Sequence, residues 1–169
     1  FTNPVKAVPE SLFNTKFNET AFEKFKGKLP AYPLKLYDYH YVDRAITDRS
    51  INLTDLKQWN ETLQERLKIL GPIAKVNIVV VLTANDDPMY ADALNTAWLG
   101  GKKNDVIVVL GVSEYPKLQW ARVKSWTDNR YFKEALELEL SSMEEITPVT
   151  VINKIDEQIR VNKYTHKSF

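Results

Sequence analysis

The sequence predicts an α/β fold: a central mixed β-sheet with a β-α-β parallel unit plus a hairpin strand, flanked by helices. Three observations predict it. The runs Val76–Leu82 and Val106–Leu110 are β-branched and nearly continuous in hydrophobicity, as strands buried on both faces are. Between them lies a helix-forming stretch, and strand, helix, strand in that order implies a right-handed parallel crossover. Leu118–Trp126 then alternates apolar and polar residues and is expected to pair antiparallel, as a hairpin strand.

The other elements follow from local pattern. Residues 1–41 read as an arm punctuated by Pro4, Pro9, Pro30 and Pro33, each of which lacks a backbone donor and blocks helix continuation. Within it Glu19–Phe25 predicts a short helix capped by Asn18, and Leu34–Tyr41 alternates as a strand. Leu56, Trp59, Leu63, Leu67 and Leu70 recur at three- and four-residue steps, predicting a helix from Thr54 to Leu70 that Gly71-Pro72 should end. Asp87 suits the N-cap and Pro88 the first position of the crossover helix, which carries Tyr90, Leu94, Ala97 and Trp98 on one side and stops at Gly100-Gly101. Two helices close the domain. One covers Arg130–Met143; the other starts at Thr147-Pro148 and carries Val149, Ile152, Ile155 and Ile159, although its opening Val-Thr-Val-Ile also fits a strand. The organisation is therefore an arm (1–41) packed on a core domain (42–162), followed by a polar tail (163–169).

Composition narrows the function. In 169 residues, 23 Lys and Arg stand against 22 Asp and Glu, and the signs alternate along helical stretches such as Glu65-Arg66. A nucleic-acid partner calls for a gathered basic excess, so nucleic acid is not expected. The absence of cysteine excludes disulfides, thiol catalysis and zinc ribbons. The longest apolar run, Ile78–Leu82, falls far short of the roughly 20 residues of a membrane helix. A chain starting at Phe1 rather than Met is expected to be a processed or excised piece, with any signal or anchor outside these residues.

Few residues carry recognisable chemistry. No P-loop, Gly-x-Gly-x-x-Gly, Gly-x-Ser-x-Gly or His-Glu-x-x-His is present, and the two histidines, His40 and His166, lie far apart in sequence. Asp86 and Asp87 follow the first strand's carboxyl end, where open parallel sheets bind ligands; Asp105 precedes the second strand and Asp43 the first helix. Converging carboxylates suit a hard cation such as Ca²⁺, which takes six to eight oxygens. The alternative is that Asp87 caps a helix and the others stabilise turns. Trp120 and Trp126 share parity on the hairpin strand with Arg122 and Lys124, a mixed face suited to partner contact, whereas Trp98 sits on an apolar helix face.

From Tyr41 onward the order of elements resembles the TPM-domain family of thylakoid-lumen, bacterial envelope and membrane-associated proteins. The residues that carry the resemblance are Tyr41-Val42-Asp43-Arg44-Ala45, the strand Val76–Thr83, Tyr90-Ala91, and the stretch Ala97–Asp105 leading into Val106–Leu110, with Thr127-Asp128 after the third strand. It covers about two thirds of the chain and is most specific from Trp98 to Asp105. Two departures stand out: Val106 replaces a glycine common in the family, and Lys124–Asp128 replaces a Gly-rich segment. The resemblance implies a non-catalytic, extracytoplasmic module that binds a membrane-protein partner in assembly, repair or regulation, and that is membrane-anchored in the full-length protein. It also implies calcium as a candidate ligand. A metal-dependent acid phosphatase is the rival from another class, with Asp86, Asp87 and Asp105 beside Lys102 and Lys103 as its candidate groups. A structural domain of a larger envelope assembly is the third reading.

Overall fold

The computed structural model describes residues 19–33, 43–98, 105–126 and 130–161. Among them β1 (Ala45–Thr47), β2 (Asn77–Thr83), β3 (Asp105–Gly111) and β4 (Trp120–Ser125) form one sheet in the order β1-β2-β3-β4. β1 and β2 pair in parallel, β2 and β3 pair in parallel from Asn77↔Asp105 to Thr83↔Gly111, and β4 returns antiparallel to β3. Five helical segments flank the sheet: α1 (residues 19–25), α2 (Leu56–Ala74), α3 (Met89–Ala97), α4 (Arg130–Ser141) and α5 (Pro148–Val161). The fold is thus the α/β class with a mixed sheet that the sequence predicts. The strand expected at Leu34–Tyr41, the Asn18 cap, the Gly100-Gly101 stop and the tail lie outside the described residues.

Every residue of β2 and β3 is buried, because both strands are central and covered on two sides. Their alternating side chains feed two cores. Ile78, Val80, Leu82, Val106, Val108 and Leu110 pack with Trp59 and Leu63 of α2, Phe132 and Leu136 of α4, and Ile152 and Ile155 of α5. Val79, Val81, Ile107 and Val109 face the other way, onto Tyr90 and Leu94 of α3 and Ala21 and Phe25 of α1. Each such side chain contributes about 1.5–3 kcal/mol of apolar burial, so the two central strands anchor both layers. The parity of β4 divides in the same manner: Ala121 and Val123 join the first core and Trp120 the second.

Two local expectations change. α2 does not end at Gly71-Pro72 but runs to Ala74, with Pro72 inside its last turn. A proline there forfeits one hydrogen bond at a point where the ladder is already closing, so the helix continues. It ends at Lys75, whose left-handed backbone (φ 53, ψ 41) lets its N–H reach the Gly71 carbonyl at 2.7 Å. In α5 the buried stripe is Val151, Ile152, Ile155 and Ile159, while Val149 points outward.

The layers also fix where a crevice can form. The three parallel strands step in one direction, yet α2 lies over one face and α3 over the other. The two crossovers therefore have opposite hands, and one runs against the usual right-handed sense. Between the carboxyl ends of β1 and β2 the chain leaves toward opposite faces.

Candidate functional site

Such a divergence point is where open α/β sheets hold ligands, so the residues at the ends of β1 and β2 bear on function directly. Asp48, just after β1, sits at its centre. Its Oδ2 accepts the Thr83 hydroxyl at 2.5 Å and the Tyr90 phenol at 2.7 Å. Its Oδ1 accepts the Ser50 backbone N–H at 2.9 Å and also the Ser50 hydroxyl. The bonds continue outward: Ser50 Oγ accepts from Ala84 N at 2.8 Å, and Thr83 Oγ1 accepts from Asn85 N at 3.1 Å. The Asn85 carbonyl accepts the Trp120 indole N–H at 2.9 Å. Tyr90 and Thr83 are fully buried, and burial, reinforced by the bond to Asp48, pushes the Tyr90 phenol far above its ordinary range. A phenol held protonated against a carboxylate that accepts three other donors is a structural tie. It joins the β1–α2 loop to the β2–α3 loop.

None of Asp48, Ser50, Thr83 and Tyr90 was marked from sequence as a site residue. The available signals were a polar Thr83 closing an otherwise apolar strand, and an Asp-x-Ser pair at the exit of β1, which favours a side-chain-closed turn.

The four carboxylates expected to converge do not. Asp86 is exposed beside the crevice. Asp87 caps α3, its Oδ1 accepting Met89 N–H at 3.0 Å, while its Oδ2 pairs with Lys24 of α1. The hydrogen bond from Lys24, followed by that from Met89, holds the Asp87 carboxyl below its usual range. Asp105 opens β3 at the other end of the sheet, about 20 Å away along a seven-residue strand. It is buried, accepting Tyr32 OH at 2.5 Å and Asn77 Nδ2 at 3.2 Å, and Asn77 in turn accepts Arg44 Nε at 3.0 Å. Burial lowers the Arg44 pKa while the Asp105 charge raises it, so the pair is a desolvated clasp across the amino ends of the strands. Asp43 is exposed and precedes β1 on that same amino side, since Ala45 pairs with Val80. Among the described residues no group of three or more His, Asp or Glu side chains is placed to hold a metal ion.

The two tryptophans also part company. Trp120 is buried, 6% exposed, tilted against Tyr90 with ring centroids 6.5 Å apart. Its ring lies over Gly111 so closely that a Cβ there would fall inside the indole. Trp120 therefore belongs to the core and offers no face to a partner, because both its neighbours on the sheet and its N–H are internal. Trp126 is half-buried and lines a cleft of about 520 Å³ with Asn95, Lys124, Arg130, Lys133 and Glu137.

That cleft runs along the outer edge of β4. The Val123 N–H points away from β3 and is bonded by Glu137 Oε1 at 2.9 Å; the Ser125 carbonyl accepts Lys133 Nζ at 3.3 Å; the Ala121 carbonyl accepts Arg122 Nη1 at 2.8 Å. Charged side chains thus occupy the backbone positions that a further strand would use, the common protection of a sheet edge. Lys124, on the opposite face, pairs with Asp92 of α3 at 2.6 Å. No helix among the described residues is long and apolar enough to cross a membrane. No family model matches this chain, and comparison with curated proteins and with solved structures gives no match.

Proposed function

We propose that the domain is a non-catalytic binding module that acts outside the cytoplasm on a membrane-protein partner, in its assembly, repair or regulation. The observation that supports this most directly is the saturation of the divergence point. At the position where a hydrolase of this architecture would hold substrate, the Ser50 and Thr83 hydroxyls each donate to Asp48 and accept a backbone N–H. A nucleophile needs a base free to take its proton, and Asp48 already accepts the Thr83 and Tyr90 hydroxyls and the Ser50 N–H. Lys24 of α1, which reaches Asp87 beside the crevice, is already paired with that carboxylate. The likeness to TPM domains supports the membrane-protein partner and the extracytoplasmic setting.

Recognition then falls to the surface. Ile69 and Ile73, 54% and 64% exposed, stand one turn apart near the end of α2 and form an apolar contact strip. The test is co-sedimentation with native membranes and with protein-free vesicles of the same lipids. The domain is expected to sediment with native membranes alone, and the double variant Ile69→Asp, Ile73→Asp to stay in solution. Equal binding to bare vesicles would replace the protein partner by lipid. Turnover of a phosphomonoester that Asp48→Asn abolishes would overturn the non-catalytic reading.

A further inference from the structure

The chain enters α2 through Ile51-Asn52-Leu53-Thr54, and the four residues alternate in burial. Ile51 is half-buried against the first core and Leu53 is buried within it, so the loop is pinned at two points. Asn52 and Thr54 stand at the intervening positions and are exposed. Neither side chain makes a hydrogen bond among the described residues. Alternation of this kind sets residues two apart on one side of the chain, here the side toward solvent. Asn-x-Thr on a surface loop is the acceptor sequence for an asparagine-linked oligosaccharide.

The same triplet occurs twice more, at Asn18-Glu19-Thr20 and Asn60-Glu61-Thr62. Asn18 lies outside the described residues. Asn60 is the instructive contrast, because it is 4% exposed and its amide is fully engaged. Its Oδ1 accepts the backbone N–H groups of Arg44 and Ala45, each at 2.8 Å. Its Nδ2 donates to the carbonyls of Ala45 at 3.0 Å and Leu56 at 3.3 Å. The Thr62 hydroxyl donates to the Gln58 carbonyl at 2.8 Å. A sugar on Asn60 would take one of those donors and enter the contact between β1 and α2. One three-residue signal is thus open at the loop and consumed in the helix.

We propose that Asn52 is a glycosylation site. The proposal rests on the extracytoplasmic reading above, since this modification belongs to secreted chains. In the transfer, Asn52 Nδ2 attacks the anomeric carbon of an oligosaccharide carried on a polyprenyl diphosphate. A C–N bond forms and the bond from that carbon to the diphosphate oxygen breaks. The lipid diphosphate leaves with the bonding electrons, and one amide proton passes to a base of the transferase, so no redox partner is needed. The position also suits a partner-binding role. Ile69 lies 13 residues beyond the first residue of α2, about 20 Å along the helix at 1.5 Å per residue, so a glycan before α2 leaves the apolar strip open.

Translation of the whole chain behind a cleavable leader, into microsomes that carry an oligosaccharyltransferase, tests the proposal. The folded, protease-resistant fraction is treated with a glycosidase that converts each sugar-bearing Asn to Asp, and the conversions are mapped by peptide mass spectrometry. Conversion is expected at Asn52 and not at Asn60. Thr54→Ala leaves the Asn52 amide in place but removes the hydroxyl, so it should abolish the conversion, whereas spontaneous deamidation would persist in it. Asn52→Gln should fold as wild type does, because the exposed amide holds no other group. A folded wild type without sugar at Asn52 overturns the proposal. So does sugar there only in protease-sensitive chains, or a wild type that yields no folded fraction where Asn52→Gln yields one. Asn52→Gln is expected to sediment with native membranes as the unmodified domain does, so failure of the membrane-partner reading is distinguishable from failure of this one.

Discussion

The divergence point between β1 and β2 and the outer edge of β4 face the same problem, since each exposes polar groups where the sheet stops. They solve it differently. At the divergence point the half-buried Asp48 draws the buried Thr83 and Tyr90 hydroxyls and the exposed Ser50 into one reciprocal network. At the β4 edge Glu137, Lys133 and Arg122 each cover one backbone group from the solvent side. The two buried hydroxyls have no solvent beside them to fall back on, so losing Asp48 orphans both. An edge contact can be replaced by water, so it is weak and exchangeable. Polar chemistry in this molecule is thus inflexible where a ligand site is customary and adaptable at the margin.

The largest test of that contrast is Asp48→Ala. It leaves the buried Thr83 and Tyr90 hydroxyls without their acceptor, and two unsatisfied groups cost about 3 kcal/mol together. Urea unfolding is expected to show a loss of that size with an unchanged m-value. A loss under about 1 kcal/mol would mean that water enters and the network is not sealed.

Gly111→Ala probes the same end of the sheet by volume. The new Cβ would occupy the space of the Trp120 indole, which holds the Asn85 carbonyl and packs on Tyr90. Overpacking of this kind costs about 2 kcal/mol, and Trp120 fluorescence should shift as the ring moves toward solvent.

Much of the scaffold was legible because burial on both faces forces a recognisable pattern. The continuous apolar runs of β2 and β3 and the stripe of α2 follow from what those elements must cover. The site was less legible. Asp87 reads as a helix cap, but nothing local reveals that Lys24, 63 positions earlier, takes its other oxygen. Asp105 sits before an apolar strand as a loop carboxylate would, yet it is buried against Tyr32 and Asn77, contacts separated by 73 and 28 positions. Trp120 shares its parity with Arg122 and Lys124, but its own place on β4 is level with Gly111, whose missing side chain admits the ring. In each case the deciding partner is distant in sequence and nothing local encodes it.

Titration offers a smaller perturbation of the same contrast. Tyr115 donates to Asp55 at 2.5 Å, and burial first, then that bond, pushes its phenol up to about 12. Tyr90 is shifted in the same direction. A phenol whose folded pKa is raised favours the fold while it stays protonated. Its contribution is complete below the unfolded value of about 10 and disappears as pH rises toward the folded value. Stability is therefore expected to fall through about pH 10 to 12, and Tyr115→Phe to remove part of that slope. A slope unchanged in Tyr115→Phe and in Tyr90→Phe would place the alkaline sensitivity elsewhere.

The smallest expected effect lies at the edge. Glu137→Ala removes the acceptor from the Val123 N–H, but water takes its place, so the loss should be about 1 kcal/mol or less. The sharper readout is amide exchange at Val123, which should accelerate markedly while Val108, its opposite neighbour on β3, keeps its protection. Glu137→Gln retains a carbonyl oxygen and should exchange more slowly than Glu137→Ala. If Val108 loses protection together with Val123, opening of the edge reaches the central strand, and the side-chain cover on β4 is as integral to the fold as the Asp48 network.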